Sequence, residues 1–284
     1  MTEPRRRTFS LADGEMAAIE FGDPARPIDV VFLHANGFNA LTYRDGLSRL
    51  EGLRVLAADM RGHGRTRLPV TPGASETWYG FRDDLVALVE ALELTAPAVF
   101  SGHSMGGSTA LLATPLLPGR VKSLVLFDPV IPRPRGSTVT QPTSLVDGAL
   151  RRRRTFDSKA EAVEAYVGRG GFRSWPKSTI ADYVEDGFAD APEGGVTLTC
   201  TPEWEASNFA AQSTDFWPSL DALDRPMTIL RAEHGSTCLI REGHPVVSAA
   251  PDRRVETVPG TSHFLPMERP DLVADALAKA AAAA

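Results

Sequence analysis

The pentapeptide Gly102-His103-Ser104-Met105-Gly106, with Gly107 behind it, joins two contrasting runs. Before it lies Pro97-Ala98-Val99-Phe100-Ser101, apolar and strand-like; after it lies Ser108-Thr109-Ala110-Leu111-Leu112-Ala113, small and helix-forming. A serine between flanking glycines at a strand-to-helix turn is a nucleophile elbow. The turn is cramped, and Gly102 and Gly106 let neighbouring backbone come close. It lifts the serine oxygen out of the sheet and places the Met105 N–H at a helix N-terminus, where negative charge is stabilised. Ser104 is therefore the candidate nucleophile and Met105 N–H a candidate oxyanion donor.

Three further segments accompany the elbow. Val30-Val31-Phe32-Leu33-His34 is an apolar strand ending in a polar loop. Asp59-Met60-Arg61-Gly62-His63-Gly64-Arg65-Thr66 is a charged, glycine-rich turn that matches D-x-R-G-H-G-x-S except for Thr66 in the last place. Gly260-Thr261-Ser262-His263-Phe264 has the form G-x-x-H-F. In order and spacing the four segments resemble the α/β-hydrolase superfamily, and the resemblance runs from about residue 28 to the C-terminus. It implies an α/β fold: a mostly parallel eight-stranded sheet with helices on both faces and an inserted helical cap. The core would be 1–131 and 225–284, the cap 132–224.

A serine hydroxyl needs a base to take its proton as it attacks. The resemblance assigns that role to His263. Of the other five histidines, His34 and His63 fit structural turns, His103 is the variable position of the elbow, and His234 and His244 fall in a loop expected to be exposed. The acid is displaced. Where relatives carry an aspartate after a late strand, this chain reads Ala232-Glu233-His234-Gly235. Phe127-Asp128-Pro129-Val130-Ile131-Pro132 resembles the segment that carries the acid in haloalkane dehalogenases. Asp128 is thus the first candidate and Glu233 the second. The second oxyanion donor should lie in His34-Ala35-Asn36-Gly37-Phe38, where Ala35 replaces a glycine of the relatives; by register it is Asn36, with Phe38 next. Phe38, Trp204 and Phe209 are candidate pocket residues, and Trp175 another aromatic of the cap.

These assignments predict a hydrolase that cleaves a carboxylic ester or related acyl bond of a small molecule through an acyl-enzyme on Ser104. C–C hydrolysis, lactone opening, thioester hydrolysis and perhydrolysis on the same fold are the competing chemistries, and a slow-turnover ligand receptor is the competing class. Dehalogenases and epoxide hydrolases of this superfamily use an aspartate where Ser104 stands. Neither a metal motif nor a nucleotide loop occurs, so no cofactor is expected.

The rest of the chain supplies the elements that position these groups. With 284 residues, 43% of them hydrophobic, it can bury a large core. A net charge of −6 argues against nucleic-acid or anionic-membrane surfaces. The runs Arg5-Arg6-Arg7 and Arg151-Arg152-Arg153-Arg154 read as solvated surface. Two cysteines, Cys200 and Cys238, suit a reducing compartment, and the polar start without an apolar core predicts a cytoplasmic protein. Strands alternate with helices, which implies a parallel sheet covered on both faces. Thr8–Asp13 and Glu15–Phe21 read as an opening hairpin; Ile28–Leu33, Val55–Ala58, Val121–Phe127, Met227–Leu230 and Arg254–Val258 read as strands. Trp78, Phe81, Leu85, Leu88 and Leu92 mark a helix with one buried stripe. After Asp128 the alternation breaks: Pro129, Pro132, Pro134 and Pro142 keep the chain irregular, and Ser158 with Glu161 offers a capping box.

Overall fold

Two strands open the chain. β1 (Arg5–Leu11) and β2 (Gly14–Phe21) form a hairpin in which Leu11 faces Gly14. β3 (Val30–Leu33), β4 (Val55–Ala58), β5 (Ala98–His103) and β6 (Val121–Phe127) follow. After an excursion holding β7 (Thr155–Phe156), β8 (Phe188–Asp190) and β9 (Val196–Leu198), the chain returns as β10 (Met227–His234) and β11 (Arg253–Ser262). The structure, a computed structural model, describes residues 3–131, 143–211 and 213–283. Eight strands form one sheet in the order β1-β2-β4-β3-β5-β6-β10-β11, and its antiparallel pairings all involve β2. It is the α/β sheet that the sequence implied.

Side-chain alternation explains why both faces are covered. Val31, Leu33, Leu56 and Phe100 point to one face, against Leu85 and Leu88 of the helix Tyr79–Leu92 and Leu111 of the helix Met105–Ala113. Val30, Phe32, Val55 and Val99 point to the other, against Leu47 and against Val273 and Leu277 of the helix Pro270–Ala282. Phe32, Leu56, Phe100 and Phe127 are under 2% exposed, and burying each such side chain contributes about 2 kcal/mol. The catalytic candidates sit where this packing ends, at the C-terminal edge of the parallel strands.

The stretch between β6 and β10 holds more than the expected helices. It carries helices Thr143–Leu150, Lys159–Tyr166, Lys177–Gly187, Pro202–Ala210 and Trp217–Asp221, but also a three-stranded antiparallel sheet in the order β7-β9-β8. Strands of two or three residues are too short to display a period of two, so sequence patterning misses them. The capping box is present in altered form: Ser158 Oγ accepts from Glu161 N at 3.2 Å, while Glu161 Oε2 accepts from Asp157 N at 2.7 Å. Pro132, Pro134 and Pro142 lie outside the described residues.

The arginine runs lie largely at the surface, as read, with one exception. Arg5 and Arg7 both pair with Glu20, whose side chain is fully buried, and Arg6 reaches buried Asp186 at 2.7 Å. Of the second run, Arg152 points inward. Its run of four like charges hid that one member faces the core. Among the described residues no helix is long and apolar enough to cross a membrane.

The elbow depends on close backbone packing. A Cβ on Gly106 would lie 2.3 Å from the Leu33 carbonyl oxygen and 2.5 Å from that of His34. Alanine is intrinsically the better helix residue by about 1 kcal/mol, yet here the overpacking costs about 1–3 kcal/mol. Gly106→Ala is therefore expected to lower Tm in a thermal melt; an unchanged or raised Tm would contradict the packing.

Candidate active site

Ser104 follows β5 with φ 53° and ψ −120°, and Asp128 follows β6 with φ 41°. Only one other described non-glycine residue, Glu93, has positive φ. Such conformations cost about 1–3 kcal/mol each and persist only where surrounding contacts impose them. For Ser104 those contacts are the Ser104 N–H to Phe127 O bond at 3.0 Å and the glycine packing. For Asp128 they include its N–H to Leu230 O at 2.7 Å.

Both strained residues meet His263, which lies one residue beyond β11. Its Nε2 is 3.0 Å from Ser104 Oγ, and its Nδ1 is 2.6 Å from Asp128 Oδ2. The Asp128 side chain is fully buried. Its Oδ1 accepts from Ala232 N at 2.9 Å and Ser236 Oγ at 2.5 Å; Oδ2 also accepts from Thr237 N at 3.1 Å. Burial alone would push the Asp128 carboxyl up. The His263 hydrogen bond and charge, with Ser236 and Ala232 N–H, outweigh it and hold the group below the usual carboxylate range. A carboxylate there accepts the Nδ1 proton, which leaves Nε2 unprotonated and facing the serine.

Glu233 is elsewhere. Its side chain is half-exposed, accepts from Gly260 N at 2.7 Å and lies 3.4 Å from His234 Nε2. Of the two candidate acids, the structure brings Asp128 to His263 and leaves Glu233 at the surface. Gly235 adopts φ 65°, so the position of the relatives' aspartate is a left-handed turn residue. His234 is exposed as expected, but His244 is half-buried: its Nδ1 accepts from Val246 N at 3.2 Å, and its ring stacks on Trp217.

Elimination identifies the free amide in the loop after β3. Ala35 N donates to Tyr43 Oη at 3.0 Å, Gly37 N to His63 Nε2 at 3.0 Å and Phe38 N to Ala35 O at 3.1 Å. Asn36 N has no partner among the described residues, whereas its side chain is tied to Glu205 O and Asn208 at 3.0 Å each. Across from it, Met105 N opens a helix, where no intrahelical carbonyl is available. Two histidines stiffen this loop. His34 Nε2 accepts from Met60 N at 2.9 Å, and burial pushes both His34 and His63 down, His63 to about 4. Asp59 completes the brace by accepting from Ala40 N at 2.8 Å and Arg65 N at 2.9 Å. The glycine replaced by Ala35 is not needed, because the positive φ of this loop falls on Gly37 at 76°.

Comparison with known proteins shows the family. The model of the alpha/beta hydrolase family matches residues 30–276. The chain belongs to the alpha/beta hydrolase family. It is 24% identical over 251 residues to the 2-(acetamidomethylene)succinate hydrolase of Mesorhizobium japonicum, covering 87% of this chain and 86% of that one. The solved structure of an E-2-(acetamidomethylene)succinate hydrolase superposes with a TM-score of 0.78 at 20% identity, covering 98% of each chain. The thioesterase domain from the curacin biosynthetic pathway superposes with the same TM-score at 18% identity, covering 97% of this chain and 99% of that one. At these identities the superpositions speak for the fold.

A cavity of about 970 Å³ opens over Ser104 in this alpha/beta hydrolase. Phe38 and Phe209 line it, as do Met105 and Leu145. Phe38 is held edge-on by Trp175, ring centroids 5.1 Å apart, and Trp175 itself is buried behind it. Trp204 does not line this cavity. Its indole N–H donates to Arg61 O at 3.0 Å and its ring packs near Phe81, which fixes Pro202–Ala210 to the Asp59–Thr66 turn. Arg152, missed by sequence reasoning, does line it: the guanidinium pairs with Glu205 and contacts the hydroxyls of Tyr183 and Tyr166.

The acid assignment has a direct test. Asp128→Asn should keep the fold and lower kcat by roughly 10⁴-fold, while Glu233→Gln should change it little. With the Asp128 carboxyl held low, this group stays ionised through mildly acidic pH. The acid-side fall of kcat/KM should therefore be a single-proton step, with no contribution from Asp128. A steep two-proton limb, or a severe Glu233→Gln loss, would overturn the assignment.

Proposed function

We propose that the protein is a serine hydrolase that cleaves an ester or related acyl bond of a small molecule through an acyl-enzyme on Ser104. The observation that carries this reading is the continuous hydrogen-bonded line from Ser104 Oγ through His263 to buried Asp128. Ser104 Oγ attacks the carbonyl carbon as His263 Nε2 takes its proton. Asp128 holds the imidazole in the required tautomer and stabilises the imidazolium that forms. The developing oxyanion is received by the N–H groups of Asn36 and Met105, each donor contributing on the order of 10²–10³-fold in rate. His263 then protonates the leaving group, and water repeats the sequence to release the acid.

The cavity's charges suggest a substrate class. Arg152 and Glu205 neutralise each other, but Arg169 at the rim makes no side-chain hydrogen bond or ion pair among the described residues. One unmatched positive charge in a mostly apolar cavity favours a substrate that carries a carboxylate. The succinate named for the Mesorhizobium relative is such a group.

Ser104→Ala should abolish fluorophosphonate labelling and lower turnover of an activated short-chain ester by roughly 10⁴–10⁶-fold. Labelling at another residue, or retained turnover, would overturn the mechanism. Arg169→Gln should reduce the preference for a carboxylate-bearing ester over its neutral analogue by roughly tenfold, as loss of a hydrogen bond to a charged group does. An unchanged preference would remove Arg169 from substrate recognition.

A further inference from the structure

His103 stands immediately before the nucleophile, and its side chain is fully buried. Both ring nitrogens are engaged: Nε2 is 2.7 Å from the carbonyl oxygen of His263, and Nδ1 is 2.8 Å from Tyr43 Oη. A carbonyl only accepts, so Nε2 carries the proton and Nδ1 accepts. Tyr43 Oη in turn receives the Ala35 N–H at 3.0 Å, so the phenol proton goes to His103. The polarity is fixed at both ends. It runs from Ala35 N–H through the Tyr43 hydroxyl and the His103 imidazole to the His263 carbonyl.

We infer that His103 is a positioning residue that locks the main chain of His263 and the loop bearing Asn36 to the strand that carries Ser104. The inference rests on the acyl-enzyme reading given under Proposed function. His263 is held at two points: Asp128 fixes the Nδ1 edge of its ring, and His103 fixes the backbone from which the ring hangs. The two rings lie 4.9 Å apart between centroids. Ala35, at the far end, is the direct neighbour of Asn36. The same chain of bonds therefore sets the base and one oxyanion donor relative to the nucleophile. An imidazole suits the place because it offers a donor and an acceptor on opposite edges of one rigid ring. It must stay neutral to do so. Burial, together with the adjacent His263, lowers the His103 pKa to about 3, so the ring stays neutral.

Half-replacements separate the two contacts. A glutamine amide reaches the Nε2 position and keeps a donor for the His263 carbonyl; an asparagine amide reaches only the Nδ1 position and keeps a partner for Tyr43. His103→Asn should lower kcat by roughly tenfold to a hundredfold with KM little changed, because misplacement near the chemistry costs rate before binding. His103→Gln, which keeps the donor to the His263 carbonyl but loses the Tyr43 link, should recover part of that loss. A folded His103→Asn protein, judged by a cooperative melt, with kcat within about threefold of the parent would overturn the inference. Equal impairment of both variants would do the same. Tyr43→Phe removes a single oxygen and provides a test should His103→Asn fail to fold. Its kcat should fall at constant KM, and the acid limb of its pH profile should shift as the His263 ring moves against Asp128. A parental kcat and pH profile would overturn the inference. Retained activity in Ser104→Ala would instead overturn the acyl-enzyme reading. An inactive Ser104→Ala alongside unimpaired His103 and Tyr43 variants sinks only the positioning role.

Discussion

The close approach between the end of β3 and the start of the helix Met105–Ala113 is the constraint on which the site depends. Backbone atoms of Leu33 and His34 occupy the space where a Gly106 side chain would begin. That contact brings the loop after β3 beside the residue after β5, so Asn36 N–H and Met105 N–H come from two strands that are neighbours in the sheet. It also forces Ser104 into a conformation that an isolated peptide would leave. Strain of this kind survives because the alternatives break buried hydrogen bonds, here Ser104 N–H to Phe127 O. A rigid, preorganised pair of donors is worth most in such a setting, since nothing needs to reorganise as charge develops.

Around that contact the protein spends buried polar groups rather than apolar ones. His34, His63 and His103 are all shielded from solvent, all held neutral, and all bonded to main-chain atoms of loops. Each takes a fixed tautomer because its partners are obligate donors or acceptors. A methyl-lined packing could fill the same volume, but it would not specify where a loop amide points. The cost of burying three imidazoles is offset only when every nitrogen finds a partner, and here every one does.

What was legible in the sequence follows from where information is local. The elbow could be read because strand, turn and helix are contiguous, and the resemblance carried His263 and Asp128 because each ends a recognisable strand. The opening hairpin was legible from Asp13-Gly14. Illegible features are those decided by distant partners. Trp204 and Phe209 sit five residues apart on one helix, yet one turns to Arg61 and the other to the cavity. Arg152 looks like its three neighbours until Glu205 and two tyrosines arrive from other helices. His103 at the end of an apolar strand was a visible oddity, but its meaning lay in Tyr43 and His263, 60 and 160 positions away.

The displaced acid shows how sheet order lets one position substitute for another. β10 lies between β6 and β11, so a side chain leaving the end of β6 must pass the end of β10 to reach His263. Asp128 does so through a left-handed backbone turn that a tight strand end makes possible. The segment Ala232–Thr237 solvates the Asp128 charge. Ala232 N–H, the Ser236 hydroxyl and Thr237 N–H all donate to the Asp128 carboxylate. These donors favour the ionised form of Asp128 against burial, beside the His263 imidazole.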